Sequence, residues 1–466
     1  MNICNRLLQL RFVPKIINHT LKRKVSEHQA LKRIEKLRSM ALPLTRQNPV
    51  IMKLDSPEFK SIFTEELLSL VSVFKKYGYE LRVAGGAVRD LLMGKKPKDL
   101  DFATTATPDQ MKEMFTTENI RMINTKGEKH GTITPRINDK ENFEVTTLRI
   151  DVLTDGRHAE VQFTTDWLLD ANRRDLTINS MFLGLDGSVY DYFYGYDDLQ
   201  KRRIAFVGDA VTRIQEDYLR ILRYFRFYGR ISEGPNLHEQ STITAIKNNV
   251  HGLERISGER IWVELKQILE GNFAGDIMLS ILDTGAAPYI GIPSIPNINE
   301  LKTVWQRSKN KKLQAVTLLS TLLKTTEEVL ALHLRLKLSA YDRDLALFVV
   351  EHREPKPNAK PLLPYQQLMV KCKAKTSDVH EWIVEVLKYN NSPHLEEFQN
   401  WSLPKFPVSG NMLKQKGVEG GRFMGLVMNE LKNIWAENDF NLSAEELLKQ
   451  VPHILSILEE RRKTKK

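Results

Sequence analysis

Residues 81–104 read LRVAGGAVRDLLMGKKPKDLDFAT, and the rest of the chain is best read outward from them. Leu81-Arg82-Val83-Ala84 has the makings of a short apolar strand and runs into Gly85-Gly86. A helix is predicted from Ala87 to Leu92, carrying Arg89 and Asp90. A turn over Gly94 to Pro97 then leads to a second strand bearing Asp99-Leu100-Asp101. Glycines between a strand and a helix let backbone N–H groups approach a phosphate at the helix N-terminus. Carboxylates two residues apart on a strand share a face. Two hard oxygen ligands suit Mg²⁺, which takes one or two carboxylates and fills its shell with water and substrate phosphates. Neither half is diagnostic alone, because Gly-Gly usually marks a turn and Asp-x-Asp a solvated edge. Joined as strand–helix–strand, they point to phosphoryl or nucleotidyl transfer.

The flanking sequence sets this unit in an α/β domain. Pro57 to Tyr77 carries Phe59, Ile62, Phe63, Leu67, Leu70, Val71 and Phe74 at helical spacing, which predicts one amphipathic helix closed by Gly78. Thr107-Pro108 opens another helix, with threonine as cap and proline at the first helical position. Strand-like segments follow at Arg121 to Asn124, Gly131 to Arg136 and Asn142 to Arg149, so the sheet is expected to be mixed. Ile150 to Phe163 is polar and turn-rich and reads as a loop. After Val207 no long strand pattern remains and the chain is helical, with breaks at 284–299, 354–364 and 402–409. The expected fold class is therefore α+β: an N-terminal head with a small mixed β-sheet, followed by an all-α remainder.

Composition narrows the function classes. A chain of 466 residues exceeds a single core and calls for two to four domains. Cys4 and Cys372 are its only cysteines, which excludes a disulfide framework and a cysteine-rich zinc site and fits a reducing compartment. No apolar run reaches membrane-spanning length. The net charge of +11 suggests nucleic-acid binding, but residues 1–54 hold 12 basic and 2 acidic residues, leaving 57 against 56 in the rest. Any nucleic-acid footprint must come from local patches. The first 26 residues contain six basic residues and no acid, interleaved with leucine, isoleucine and phenylalanine, the pattern of a mitochondrial transit peptide rather than a fold element. An internal start at Met40 or Met52 would give a cytosolic or nuclear form.

Three further constellations carry chemistry. Glu144, in Phe143-Glu144-Val145, is either a third carboxylate that helps hold a metal or polarise the attacking hydroxyl, or a solvent-facing strand residue. Arg173-Arg174-Asp175 is either a triphosphate clamp or a surface ion-pair cluster. The third is Gln215 to Gly229, QEDYLRILRYFRFYG, predicted as one helix within Ile214 to Arg230, on which Asp217, Arg220, Arg223 and Arg226 step by three and wind as one stripe. Residues 201–230 carry a net charge of +5 in a chain otherwise near neutral. Asp217 and Arg220 could simply pair with each other. Held side by side, they could instead read a base, the carboxylate accepting and the guanidinium donating. Cytosine and adenine each present a donor beside an acceptor in the matching order; uracil and guanine present the reverse. Against the wrong base, buried groups would stay unpaired, at about 1–3 kcal/mol each.

GGAVRD with DLD, RRDLTIN, the Gly195–Asp198 turn, EDYLRILR and RISGERIWVEL resemble, in order and spacing, the motif series of the class II tRNA nucleotidyltransferases, the CCA-adding enzymes, most of whose motifs are shared by bacterial-type poly(A) polymerases. The resemblance spans Leu81 to Leu269 and extends more loosely beyond. It implies a head, neck, body and tail: a transit or basic arm over 1–50, a nucleotidyltransferase head over 56–200, a neck with the base-reading helix over 201–275, a helical body over 276–400 and a tRNA-binding tail over 401–466. It implies that Gly86 and Arg89 contact the nucleotide, Asp99 and Asp101 bind Mg²⁺, Arg174 holds the triphosphate, Asp217 and Arg220 read the base, and Arg223 and Arg226 support the nucleotide. Arg255 to Glu264 would brace the reading helix. The Ile150 to Phe163 segment would be the flexible loop linked to the switch from C to A. Gly417, Gly420 and Gly421 would contact the RNA backbone.

The reaction implied is template-independent addition of CCA to tRNA 3′ ends from CTP and ATP by two-metal nucleotidyl transfer, one Mg²⁺ lowering the pKa of the primer hydroxyl and a second neutralising the leaving pyrophosphate. The expected partners are tRNA, CTP and ATP, with no membrane, and the chain would act as a monomer or homodimer in the mitochondrial matrix. Poly(A) polymerase or A-only addition uses the same chemistry. A catalytically inactive RNA-binding scaffold would not need the intact Asp99/Asp101 pair, and a small-molecule nucleotidyltransferase would not need the long helical C-terminal half.

Overall fold

The computed structural model describes residues 44–463 except 124, 155–158 and 355–357. The expected transit segment therefore lies largely outside the described residues. The chain divides into two compact units, one ending at Ile290 and the other running from Gly291 to Lys466.

The first unit is built on a nine-stranded mixed sheet. Its strands are β1 (Val50–Lys53), β2 (Leu81–Ala84), β3 (Asp101–Thr104), β4 (Arg121–Ile123), β5 (Thr132–Ile137), β6 (Glu141–Asn142), β7 (Glu144–Thr147), β10 (Phe182–Gly184) and β11 (Ser188–Tyr190). They lie in the order β1-β11-β10-β2-β3-β7-β5-β4, with β6 on β5. Two more strands, β8 (Arg149–Thr154) and β9 (Ala159–Phe163), pair antiparallel as a separate ribbon. The Ile150 to Phe163 stretch, expected as a loop, is thus largely a β-ribbon, and its tip lies outside the described residues. Only β3 and β7 pair in parallel among the described strands, and their register sets Asp101 opposite Glu144.

The head begins earlier than its expected start at residue 56. β1 pairs antiparallel with β11, and before it Arg46 lies over the Tyr194 ring and forms ion pairs with Asp191 and Asp197. Asp191 is fully buried, and its carboxylate accepts from the Phe193, Gly195 and Tyr196 amides. A four-residue edge strand is too short to announce itself by alternation.

Helices flank the sheet: α1 (Pro57–Lys60), α2 (Glu65–Lys76), α3 (Gly86–Leu92), α4 (Pro108–Thr117), α5 (Trp167–Asn172) and α6 (Gly195–Gln200). The single helix expected over Pro57 to Tyr77 is two. Ser61 caps the end of α1, and the Thr64 side chain accepts from the Leu67 amide to start α2. Thr107 caps α4 in a full capping box with Gln110. Ala84, Ala103, Leu148, Trp167, Ala171, Phe182, Phe193 and Val207 form a core cluster, with Trp167 edge-on to Phe182 at 4.8 Å. Burial of the larger of these side chains, Leu148, Phe182, Phe193 and Val207, contributes about 1.5–3 kcal/mol each, which locks strand register here.

The unit continues as α7 (Ala210–Glu216), α8 (Arg220–Ile231), α9 (Gln240–Asn249), α10 (Gly258–Leu269) and α11 (Ala274–Asp283). In α8, Ile221, Leu222, Tyr224, Phe225, Phe227, Tyr228, Gly229 and Ile231 are buried, which leaves Arg220, Arg223, Arg226 and Arg230 as its polar positions. The expected continuous helix is broken: Asp217 has φ −152° and ψ 105°, an extended conformation between α7 and α8.

The second unit is helical throughout its described residues. Its last part packs Val427, Leu431, Trp435, Leu447 and Val451 into a core of their own. Gly417 and Gly421 hold positive φ of 79° and 83°, and Gly421 precedes the helix Arg422–Glu437.

Candidate active site

A cleft of ≈ 720 Å³ opens in the first unit, and it gathers the motifs from five separate stretches of chain. Gly85 and Gly86 come from the β2–α3 turn, Asp99 and Asp101 from the approach to β3, Arg174 from just after α5, Asp217 from the α7–α8 break, and Arg220, Arg223 and Arg226 from α8. Nine arginines and Lys98 face six aspartates across its walls. Such a surplus of guanidinium over carboxylate suits a polyanionic ligand. Of the residues expected here, Glu144 does not line this cleft. It lines a neighbouring one of ≈ 650 Å³, which shares Lys98, Asp99 and Asp101 with the first. Gly417, Gly420 and Gly421 belong to the second unit.

Asp99 sits in the bend before β3, not on the strand, and Asp101 is its first residue. Burial pushes the Asp101 carboxyl above its usual range, and the neighbouring Glu144 and Asp99 charges push it further, while Arg174 pulls it back. Carboxylates crowded in this way are under-neutralised, and a divalent cation between them supplies the missing charge. The donor set therefore fits a hard cation. Among the described residues no three His, Cys, Asp or Glu groups converge as a closed cage.

The arginines are aimed by buried carboxylates. Asp170, 1% exposed, accepts from Arg173 Nε at 2.8 Å and from Arg174 Nη2 at 3.0 Å, and also from the Arg149 amide at 3.1 Å. Burial works against its charge, but Arg173 and Arg174 hold its carboxyl below the usual carboxylate range. Arg174 lies against Gly85, where a Cβ would come within 3.2 Å of its Nη1 and where φ is +65°. Gly85 is thus needed both for the left-handed turn and for the close guanidinium. On α3, the buried Arg89 donates to Asn179 Oδ1 at 2.7 Å and to Asp90, whose other oxygen takes Arg230 at 3.0 Å.

On α8 the pairing differs from the simplest sequence reading. Asp217 does not pair with Arg220. Its Oδ2 accepts from Arg260 Nη2 at 2.7 Å, and its Oδ1 from the Leu219 amide at 3.1 Å. Arg220 pairs with Glu216 at 2.6 Å and donates to the carbonyls of Arg213 and Arg173. Arg223 is held by Asp175 at 2.7 Å, and Arg226 by Glu264 at 2.7 Å. Asp175 keeps its carboxyl low against burial because Arg223 faces it, whereas burial outweighs Arg226 and Arg223 at Glu264 and leaves its carboxyl raised. Asp217 and Arg220 therefore reach the same cleft on independent supports.

Sequence reasoning missed Asp170 and Arg230, and gave Arg260 and Glu264 only as part of the bracing stretch Arg255 to Glu264, without their individual partners. Asp170 was within reach, since it stands three and four residues before Arg173 and Arg174, the spacing of helical ion pairs.

A mixed sheet with a Gly-Gly turn, adjacent carboxylates and an arginine-walled cleft defines a nucleotidyltransferase head. The family model for the "Poly A polymerase head domain" matches residues 81–205, and that for the "Probable RNA and SrmB- binding site of polymerase A" matches residues 239–297. The chain is 51% identical over 402 residues to the mitochondrial CCA tRNA nucleotidyltransferase 1 of Danio rerio, covering 85% of this chain and 93% of that one. It is 52% identical to that of Mus musculus, covering 86% and 93%, and 51% identical to that of Homo sapiens, covering 88% and 95%. The chain belongs to the CCA tRNA nucleotidyltransferase family. As in other nucleotidyltransferases, dependence on a divalent metal goes with that membership. Its fold is shared with the Bacillus stearothermophilus CCA-adding enzyme in complex with CTP, with TM-score 0.67 and 24% identity over 87% of this chain and all of that one. It is also shared with the Thermotoga maritima CCA-adding enzyme complexed with tRNA, with TM-score 0.61 and 20% identity over 87% and 99%.

Proposed function

We propose that this chain adds C, C and A to tRNA 3′ ends from CTP and ATP, with Mg²⁺ as its metal and the mitochondrion as its place of work. One observation carries the reading: Asp217 and Arg220 stand on the wall of the same cleft that holds Gly86, Asp99, Asp101 and Arg174. Base-reading groups and phosphate-transfer groups thus face one substrate. Asp99 and Asp101 would hold the metal, with Glu144 opposite Asp101 on the neighbouring strand. Metal ions held there would supply an acidified primer hydroxyl and neutralisation of charge on the leaving pyrophosphate. Arg174, aimed by Asp170, takes the triphosphate, while Gly86 and Arg89 shape the phosphate turn. Arg223 and Arg226, held by Asp175 and Glu264, support the nucleotide. Asp217 accepts from the exocyclic amine of C or A, and Arg220 donates to the adjacent ring nitrogen. Residues 201–275 act as the reading neck and 276–400 as the body. The tail from 401, with Gly417, Gly420 and Gly421, lies against RNA backbone, gripping tRNA by shape and phosphate contact.

The test is incorporation on a tRNA ending at the discriminator base, with CTP alone, ATP alone and both. Two C residues from CTP alone, and a single terminal A once ATP is added, are expected. Long A tracts without CTP would instead establish poly(A) polymerase activity, the reading favoured by the name of the head-domain family.

A further inference from the structure

The break that turns Asp217 into the cleft is three residues long, and Tyr218 in its middle has no part in the chemistry above. Its ring lies on the 3₁₀ turn Val250–Arg255. His251 flanks it at 6.2 Å between ring centroids, and Arg255 lies over it at 5.8 Å. Between them the ring rests on Gly252, where an added Cβ would fall inside the ring itself. Gly252 is buried and its φ lies outside the left-handed region, so this glycine provides space and not backbone freedom. A second tie fastens the other side of the break: Gln215 Nε2 on α7 donates to Asn249 Oδ1 at 2.9 Å, and the buried Asn249 donates in turn to the Ala245 carbonyl. Asp217 is therefore held by its carboxylate at Arg260 and by its backbone neighbours at the end of α9 and the turn beyond.

We infer that Gly252 and Tyr218 are positioning residues for base selection: the ring, seated on a bare Cα, fixes the extended backbone at Asp217 in the one setting that aims its carboxylate at the incoming base. The inference rests on the assignment of Asp217 as a base-reading group. Selectivity of this kind comes from buried donors and acceptors left unpaired by the wrong base, and it needs a carboxylate that cannot retreat. A displacement of about 1 Å at a positioned group suffices to lower rates by orders of magnitude. A methyl on Gly252, or loss of the ring, frees the break while leaving Asp99, Asp101 and Arg174 untouched. Selectivity should then fall further than the rate of transfer itself.

The experiment compares kcat/KM for CTP and for UTP on tRNA lacking CCA, using the wild type, Asp217→Ala, Tyr218→Phe, Tyr218→Ala, Gly252→Ala and the Tyr218→Ala/Gly252→Ala double variant. Tyr218→Ala and Gly252→Ala should each lower the CTP-to-UTP ratio about tenfold or more. Tyr218→Phe, which keeps the ring, should retain the wild-type ratio. The double variant should be no worse than Tyr218→Ala, because both changes act on one contact. The KM for tRNA should stay unchanged in all of them. If Asp217→Ala loses selectivity while Tyr218→Ala and Gly252→Ala keep it, the positioning role is overturned and the base-reading assignment stands. If Asp217→Ala itself keeps the wild-type ratio, the assignment fails and takes the inference with it. Should Gly252→Ala not fold, Tyr218→Ala, which adds no atoms, decides alone.

Discussion

Asp170→Asn removes one buried charge from behind Arg173 and Arg174 on the cleft wall, and almost no volume. The wild-type carboxylate uses Oδ1 for the Arg149 amide and Arg173 Nε, and Oδ2 for Arg174 Nε and Nη2. An amide has one accepting oxygen. If that oxygen keeps the Oδ1 set, the amide nitrogen faces two N–H groups of Arg174 and can accept from neither. Hydrogen bonds to charged groups contribute about 1.5–3 kcal/mol each, and a half-dismantled buried network loses more than a surface pair would. A net loss of about 2–4 kcal/mol is expected, which lowers the melting temperature by about 5–10 °C in a unit of this size. Arg174 would also lose its aim across Gly85, so kcat/KM for CTP and ATP should fall together, about 10²-fold, because both share the triphosphate. The pH dependence has a definite sign. The folded-state Asp170 pKa lies below its unfolded value. Its contribution is therefore complete above the unfolded carboxylate pKa, and it is lost only as pH falls through the depressed folded value. The gap in stability between wild type and variant should stay flat from neutral pH down to about 5 and close in acid. Differential scanning calorimetry across pH, with single-turnover incorporation of each nucleotide, measures all of this. A variant that melts with the wild type, or loses activity with one nucleotide only, would refute the reasoning.

Asp101→Asn should abolish transfer yet leave the metal-free protein as stable as the wild type or more so at neutral pH, since burial and two neighbouring carboxylates disfavour the charge that is removed. Added Mg²⁺ should raise the melting temperature of the wild type and not that of the variant; a persistent Mg²⁺ response would place the metal elsewhere. Arg46→Ala removes the guanidinium over Tyr194 and beside the buried Asp191, and should destabilise the first unit by about 1–3 kcal/mol without changing the CTP-to-ATP preference. Thermal unfolding and the incorporation assay together check it, and an unchanged melting temperature would show that the segment before β1 adds nothing to the head.

What could be read from sequence was the chemistry carried by short, local patterns. The Gly-Gly turn, the aspartate pair and the arginine stripe each lie within one element and its flanking turn. Element boundaries were harder. Asp217 fits the i, i+3 stripe so well that the spacing predicts a continuous helix, yet its side chain accepts from the amide two residues on, the habit of an aspartate that starts a helix rather than continues one. Thr64 followed by Glu65-Glu66 was an equally plain start signal, overridden by an apolar spacing that runs through the break. The pairings of Asp175 with Arg223 and of Glu264 with Arg226 join separate elements, and nothing local encodes them. The stripe shows which side chains share a face; what holds them there comes from α7, from the residues after α5 and from α10, and is visible only in the packing.

The parallel pairing of β3 with β7 bears on when Asp101 and Glu144 meet as the chain folds. Parallel neighbours cannot be joined by a hairpin, so the chain must leave β3, form α4, β4 and β5, and return before Asp101 and Glu144 come together. Contacts that close such long loops tend to form late in folding. In the sheet order β7 lies between β3 and β5, so Glu144 reaches Asp101 only when β7 takes that place. Pairing of β7 with β3 and the arrival of Glu144 beside Asp101 are therefore one event, set by the register of a single parallel pair.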